Sequence, residues 1–141
     1  MKKMSPAEAR EFLLSGTRTA KLATVRADGR PHVAPIWFLL DGDDLVFNTW
    51  HKSVKAMNLR RDGRVSLCVD DETPPFAFVL IEGTAQISDD LTAVKYWASR
   101  IAARYMGEDQ AEAYGERNGI PGELLIRVSI TKIVAQKEIA A

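Results

Sequence analysis

The spacing of apolar residues changes period several times along the chain, and each change marks an element. Residues 5–15 begin Ser5-Pro6-Ala7-Glu8: a capping serine, a proline where the first turn needs no N–H, and a glutamate placed to reach back. A helix ending at Gly16 follows from this. From Thr19 the period drops to two, which predicts a strand over 19–26 closed by the hairpin signal Asp28-Gly29. Residues 32–40 are apolar on both parities, with Val33, Trp37 and Leu39 on one and Ala34, Ile36, Phe38 and Leu40 on the other. A strand with no polar face is buried on both sides, and in so short a chain the second cover must be a ligand or another subunit. Pro35 has no N–H for a ladder, so it marks a bulge or an edge, a place where a ligand can meet strand backbone.

Asp41-Gly42 turns the chain into a strand at Leu45, Val46 and Phe47. A polar crossing, Asn48-Thr49-Trp50-His51-Lys52-Ser53, leads to a short amphipathic helix, and a second apolar strand follows Asp62-Gly63. Residues 70–75 read as a loop and 76–88 as a long strand, with Gly83 marking a bulge or a close backbone approach. Ser88 or Asp89 caps a helix to about Met106, carrying Val94, Trp97, Ile101 and Tyr105 on one face. Residues 111–117 add a helical turn or two, and a last strand over 123–136 alternates cleanly. Six strands joined mostly by hairpins predict a mainly β domain spanning 1–141, an antiparallel barrel with accessory helices.

Charge narrows the possible partners. Nineteen basic and nineteen acidic residues cancel, and no lysine-arginine stripe is present, so no nucleic-acid partner is expected. No stretch approaches the roughly 18 apolar residues of a membrane span, and Met1-Lys2-Lys3 has no apolar run behind it. Cys68 is the single cysteine and reads as a small core residue. The expectation is a cytoplasmic protein that does not engage membranes.

The crossing holds the one candidate for ligand chemistry. Ser53 is placed to cap the helix, and Lys52 and Lys55 bring two cations within a turn of its positive end. By themselves these residues make either a capped helix with solvated lysines or a phosphate site. Two histidines, His32 and His51, and one cysteine are too few for a typical zinc site, so no metal is expected. There is no phosphate-binding Gly-Lys-Ser/Thr, no dinucleotide fingerprint and no nucleophile elbow. No catalytic residue can be named; chemistry in such a chain must come from a bound cofactor.

Four segments together carry a family resemblance: Ala23-Thr24-Val25-Arg26 with Asp28-Gly29-Arg30-Pro31; Pro35-Ile36-Trp37-Phe38; Lys55 with Asn58-Leu59-Arg60-Arg61-Asp62; and Glu82-Gly83-Thr84-Ala85. The chain resembles the pyridoxamine-phosphate-oxidase-like FMN-binding split-barrel proteins, and within them the deazaflavin-dependent reductases that use coenzyme F-420. The resemblance covers about 19–88 well and the rest in outline. It implies a six-stranded antiparallel split β-barrel and a homodimer with cofactor sites at its interface, which would cover the doubly apolar segment.

It also implies a site. The cofactor ring would lie on Pro35, Ile36, Trp37, Asn48 and Thr49, and the phosphate on Lys52, Ser53, Lys55 and Asn58, with Phe76 as an approaching aromatic residue. Relatives often carry arginine where this chain has Ser53. A site without that arginine leans away from FMN, whose terminal dianion favours a bidentate partner. The implied reaction is hydride transfer from reduced deazaflavin to a small planar or conjugated substrate. An FMN-dependent oxidoreductase, or a non-catalytic binder of the cofactor or a tetrapyrrole, are the competing readings.

Overall fold

The computed structural model describes all 141 residues, Met1–Ala141. A two-residue strand, β1 (Lys2–Lys3), leads into α1 (Pro6–Leu14). The capping box forms as predicted: Ser5 Oγ accepts from Glu8 N–H and Glu8 Oε1 accepts from Ser5 N–H, each at 3.1 Å. Helix α1 turns Ala9 and Leu13 into the core. There follow β2 (Ala20–Val25), β3 (Pro31–Ile36), β4 (Leu39–Asp41), β5 (Asp44–Trp50), α2 (Val54–Arg61), β6 (Arg64–Asp71) and β7 (Ala77–Ser88). The chain ends with α3 (Leu91–Met106), a 3-10 turn at Glu108–Gln110, α4 (Ala111–Asn118) and β8 (Glu123–Lys137).

All pairings are antiparallel, in the order β3-β2-β6-β7-β8-β5-β4, with β1 on β8. This is the split-barrel architecture, but the strand count of six is corrected to eight. β1 is added, and residues 32–40 divide into β3 and β4. The division has a geometric cause. Ile36 pairs with Ala20 of β2, whereas Leu39 pairs with Val46 of β5. β2 and β5 are not neighbours, so no single ladder can hold both halves. The sheet's two edge strands are therefore consecutive in sequence, joined by Trp37-Phe38, and the barrel is bridged there by covalent chain rather than hydrogen bonds.

Inside the barrel lie Leu22, Phe38, Leu45, Phe47, Leu67, Val69, Val79, Ile81, Ile126 and Val128. Each fully buried side chain of this size contributes about 1.5–3 kcal/mol. A second cluster, Val46, Val94 and Leu125, packs α3 on the outer side of β5 and β8. Asp90, not Ser88 or Asp89, caps α3, accepting from Thr92 N–H at 3.2 Å. Outward residues of β3 are uncovered within one chain, Val33 being 66% exposed. No helix is long and apolar enough to cross a membrane.

Pro35 falls on an edge strand, one of the two places its missing N–H allowed. Gly83 sits at a bulge, where the β7–β8 register shifts between Glu82 and Gly83. A Cβ there would meet Ser129 O at 2.5 Å and Val128 Cγ1 at 2.7 Å. Gly83→Ala is therefore expected to destabilise the fold by about 1–3 kcal/mol, the usual cost of overpacking. Urea unfolding should show a lower midpoint at unchanged slope; an unchanged midpoint would show that the bulge has room.

Candidate functional site

The split between β3 and β5 opens into a cavity of about 290 Å³, and α3 crosses over it. β3 and the residue after it supply Pro35, Ile36 and Trp37. β5 supplies Asn48 and Thr49, and α2 supplies Lys55. Six of the ten residues expected from sequence thus line one cavity. α3 adds Ala98, Ile101 and Ala102, and the end of α4 adds Asn118.

The strand-to-helix crossing is built by local hydrogen bonds. Ser53 Oγ accepts from Ala56 N–H at 3.1 Å and pairs with Thr49 Oγ1 at 2.7 Å, so its capping role is real and its hydroxyl is engaged. By helix geometry the N–H groups of Val54 and Lys55 have no intrahelical partner. None of the chain's ion pairs includes Lys52 or Lys55. Lys52 is exposed beside the helix start, outside the cavity lining.

Asn58 is 4% exposed and donates to Thr24 Oγ1 at 3.0 Å, while its own oxygen accepts from Arg61 at 3.2 Å. It ties α2 to β2 and does not line the cavity. Phe76 follows a cis Pro74-Pro75 bond with φ at 68°, is 39% exposed, and bonds to Thr73 and Ile139 through its backbone. It too lies outside the lining.

Trp37 is held from α3. Its ring stacks on Tyr105, with centroids 5.1 Å apart and planes 3° from parallel. The Tyr105 hydroxyl accepts from Phe38 N–H at 3.3 Å and donates to Arg18 O at 2.7 Å. Arg104 donates to Phe38 O at 2.8 Å. Burial raises the Tyr105 phenol above its ordinary value and lowers the Arg104 guanidinium below its own.

Beside the crossing, His51 Nδ1 lies 3.0 Å from Gly122 O. Burial raises the Glu123 carboxyl, and the neighbouring His51 pulls it partly back. No group of histidine, cysteine, aspartate and glutamate is arranged to hold a metal ion.

A larger cavity, about 880 Å³, lies along α1 against β4 and β8. Its lining is mostly apolar, with Lys3, Arg10 and Asp43 all exposed. The smaller cavity is the better candidate because an unpaired lysine, two amides and an aromatic ring converge on it. Sequence reasoning missed Ala98, Ala102 and Asn118. The small residues at i and i+4 were visible, but nothing local says that this helix crosses the split.

The sequence profile of pyridoxamine 5'-phosphate oxidase matches residues 5–137. The chain belongs to that family. A biliverdin reductase of Mycobacterium tuberculosis, named as dependent on reduced coenzyme F-420, is 34% identical to this chain over 94 residues. That match spans 65% of this chain and 66% of the relative. Among solved structures, a conserved hypothetical protein of M. tuberculosis superposes with a TM-score of 0.86 at 28% identity, covering 100% of this chain and 94% of that one. An F-420 reductase superposes at 0.69 and 30% identity, covering 87% and 94%.

Within this oxidase-family chain the Asn58–Thr24 bond is a buried tie between α2 and β2. Asn58→Ala should destabilise the protein by about 1–3 kcal/mol, the cost of leaving a buried partner unpaired. Thermal unfolding measures it, and an unaltered midpoint would remove the tie from the account of how α2 is held.

Proposed function

We propose that the chain is an oxidoreductase that uses coenzyme F-420 to reduce a small planar or conjugated substrate. The observation that carries this reading is the convergence of Trp37, Asn48, Thr49, Asn118 and an unpaired Lys55 beside the free edge of β3. Asn48 Nδ2 is engaged with Val94 O and Leu124 O, each at 3.4 Å, which leaves its carbonyl oxygen for a ligand. This lining fits a flat, anionic cofactor, with an aromatic wall, that oxygen and the Asn118 amide for a ring, and a cation and a helix start for a phosphate. The names of the related reductases support the choice of deazaflavin.

Pro35, Ile36, Trp37, Asn48 and Thr49 would hold the ring. Lys55, assisted by the free N–H groups at the start of α2 and by Lys52, would hold the phosphate. Ser53 serves by keeping that helix start in place. When bound, the reduced cofactor supplies a hydride from ring carbon 5. The protein's part is to orient the two flat molecules and exclude water. Ala98, Ile101 and Ala102 give the cavity a dry wall.

We further propose a homodimer, because Val33 and Pro35 leave the outer side of β3 apolar and uncovered. Sedimentation should find a dimer at micromolar concentration; a monomer would remove the dimeric arrangement.

Lysines suit the singly charged phosphodiester of F-420 better than the compact dianion of FMN, which favours a bidentate arginine. F-420 is expected to bind at least about tenfold tighter than FMN, or roughly 1.4 kcal/mol. The margin should narrow as salt screens exposed contacts to the polyglutamyl tail. Lys55→Ala should weaken F-420 binding by about 1.5–3 kcal/mol. Titration of both cofactors at low and high salt tests these expectations. Tighter FMN binding favours a flavin enzyme of the same fold, and equal affinity of the Lys55 variant moves the anion site elsewhere. Oxidation of reduced F-420 with planar substrates, biliverdin among them, then separates an enzyme from a carrier.

A further inference from the structure

The aromatic ring at the mouth of the cavity is not free to choose its orientation. Trp37 belongs to the two-residue link between β3 and β4, where the backbone has left one ladder and not yet joined the other. Such a link ought to be the loosest part of the sheet. Here it is fixed from outside the barrel. Tyr105 of α3 lies flat against the Trp37 ring, 5.1 Å between centroids and 3° between planes. The same residue's hydroxyl is fully engaged, accepting from Phe38 N–H and donating to Arg18 O. One side chain therefore fixes both the ring and the backbone that carries it. Arg104 steadies the arrangement, its guanidinium 4.7 Å from the Phe38 ring and 4.8 Å from the Tyr105 ring. Trp37 nevertheless remains 39% exposed and lines the cavity.

We propose that Tyr105, which is not itself among the cavity-lining residues, is a positioning residue for the site. It holds the Trp37 ring at the angle at which a flat ligand is received. The inference rests on the cofactor reading above, and it assigns the role to the stacked ring of Tyr105 rather than to its hydroxyl. A parallel aromatic partner limits rotation of the tryptophan about its side-chain bonds, so less orientational freedom is lost when a ligand stacks.

The test is a double-mutant cycle in the full chain, reading the affinities of F-420 and FMN by titration. Tyr105→Leu should weaken binding about three- to tenfold, the range of one aromatic pair. In a Trp37→Leu background the same change should cost less than about twofold, because the effect passes through Trp37. Tyr105→Phe keeps the stack, so it should bind within about twofold of the parent while losing stability with both hydroxyl bonds. Equal losses in the two backgrounds, or no loss in the first, would overturn the proposal. So would a Phe variant that binds about threefold or more weakly than the parent, and because this arm is read against the parent it remains decisive if the Leu variant does not fold. Near-UV circular dichroism of the free proteins separates failure of this inference from failure of the cofactor reading. If the parent takes up neither cofactor, the cofactor reading falls. Loss of one shared band in Trp37→Leu and in the Tyr105 variant lacking the ring would still support the positioning role, and loss of different bands would overturn it.

Discussion

Phe38 has a backbone N–H and a backbone carbonyl that no strand can satisfy, and much of the molecule is arranged around that fact. An unpaired buried peptide group costs about as much as a lost hydrogen bond, and Phe38 is wholly buried. Its partners come from consecutive residues of α3: Tyr105 takes the N–H and Arg104 the carbonyl. The split can stay open because a helix from late in the chain supplies what a neighbouring strand would have supplied. The same helix then roofs the cavity that the open split creates, so the feature that makes a pocket possible also stabilises it.

Arg104 carries more of this than its sequence position indicates. It is half-buried and has no carboxylate partner, which ordinarily makes a cation costly. Instead its guanidinium donates to three carbonyls, Leu13 at 2.7 Å, Phe38 at 2.8 Å and Gly16 at 3.0 Å. Leu13 lies in the last turn of α1, where carbonyls lack partners and the helix dipole is negative. Burial draws the guanidinium's proton affinity down, but an arginine remains charged through the physiological range. One side chain thus joins the end of α1, the link between β3 and β4, and α3. Lysine, with a single point of charge, could not make that three-way fork.

What could be read from the sequence was what local chemistry determines. The Ser5–Glu8 capping box, the Gly83 bulge, the Ser53 cap and the edge position of Pro35 each follow from a residue whose backbone or side chain admits few alternatives. The division of residues 32–40 was hidden because both halves are equally apolar, and only the non-adjacency of β2 and β5 separates them. Asn58 shows the same limit at the site. Its place on α2 was legible, but its engagement with Thr24 depends on which strand the helix packs against. α3 was legible as a helix with a mixed face, yet its crossing of the split is a tertiary fact that no short-range pattern encodes.

The free edge of β3 illustrates how such a site stays available to a ligand without inviting another strand. In the β2–β3 hairpin Arg26 N–H bonds to Arg30 O, so by antiparallel alternation Thr24–His32, Leu22–Ala34 and Ala20–Ile36 are the hydrogen-bonded pairs. Pro31, Val33 and Pro35 then turn their backbone groups away from β2. Two of those three residues have no N–H, so along this stretch the edge offers three carbonyls and only the donor of Val33. A complete β-partner needs alternating donors and acceptors, and a row this short of donors is a poor template for one. A small molecule needs only one or two contacts, and a ligand N–H could use the carbonyl of Pro35 beside the cavity. The prolines thus lower the aggregation hazard of an open edge while leaving it able to accept hydrogen bonds where the split meets the pocket.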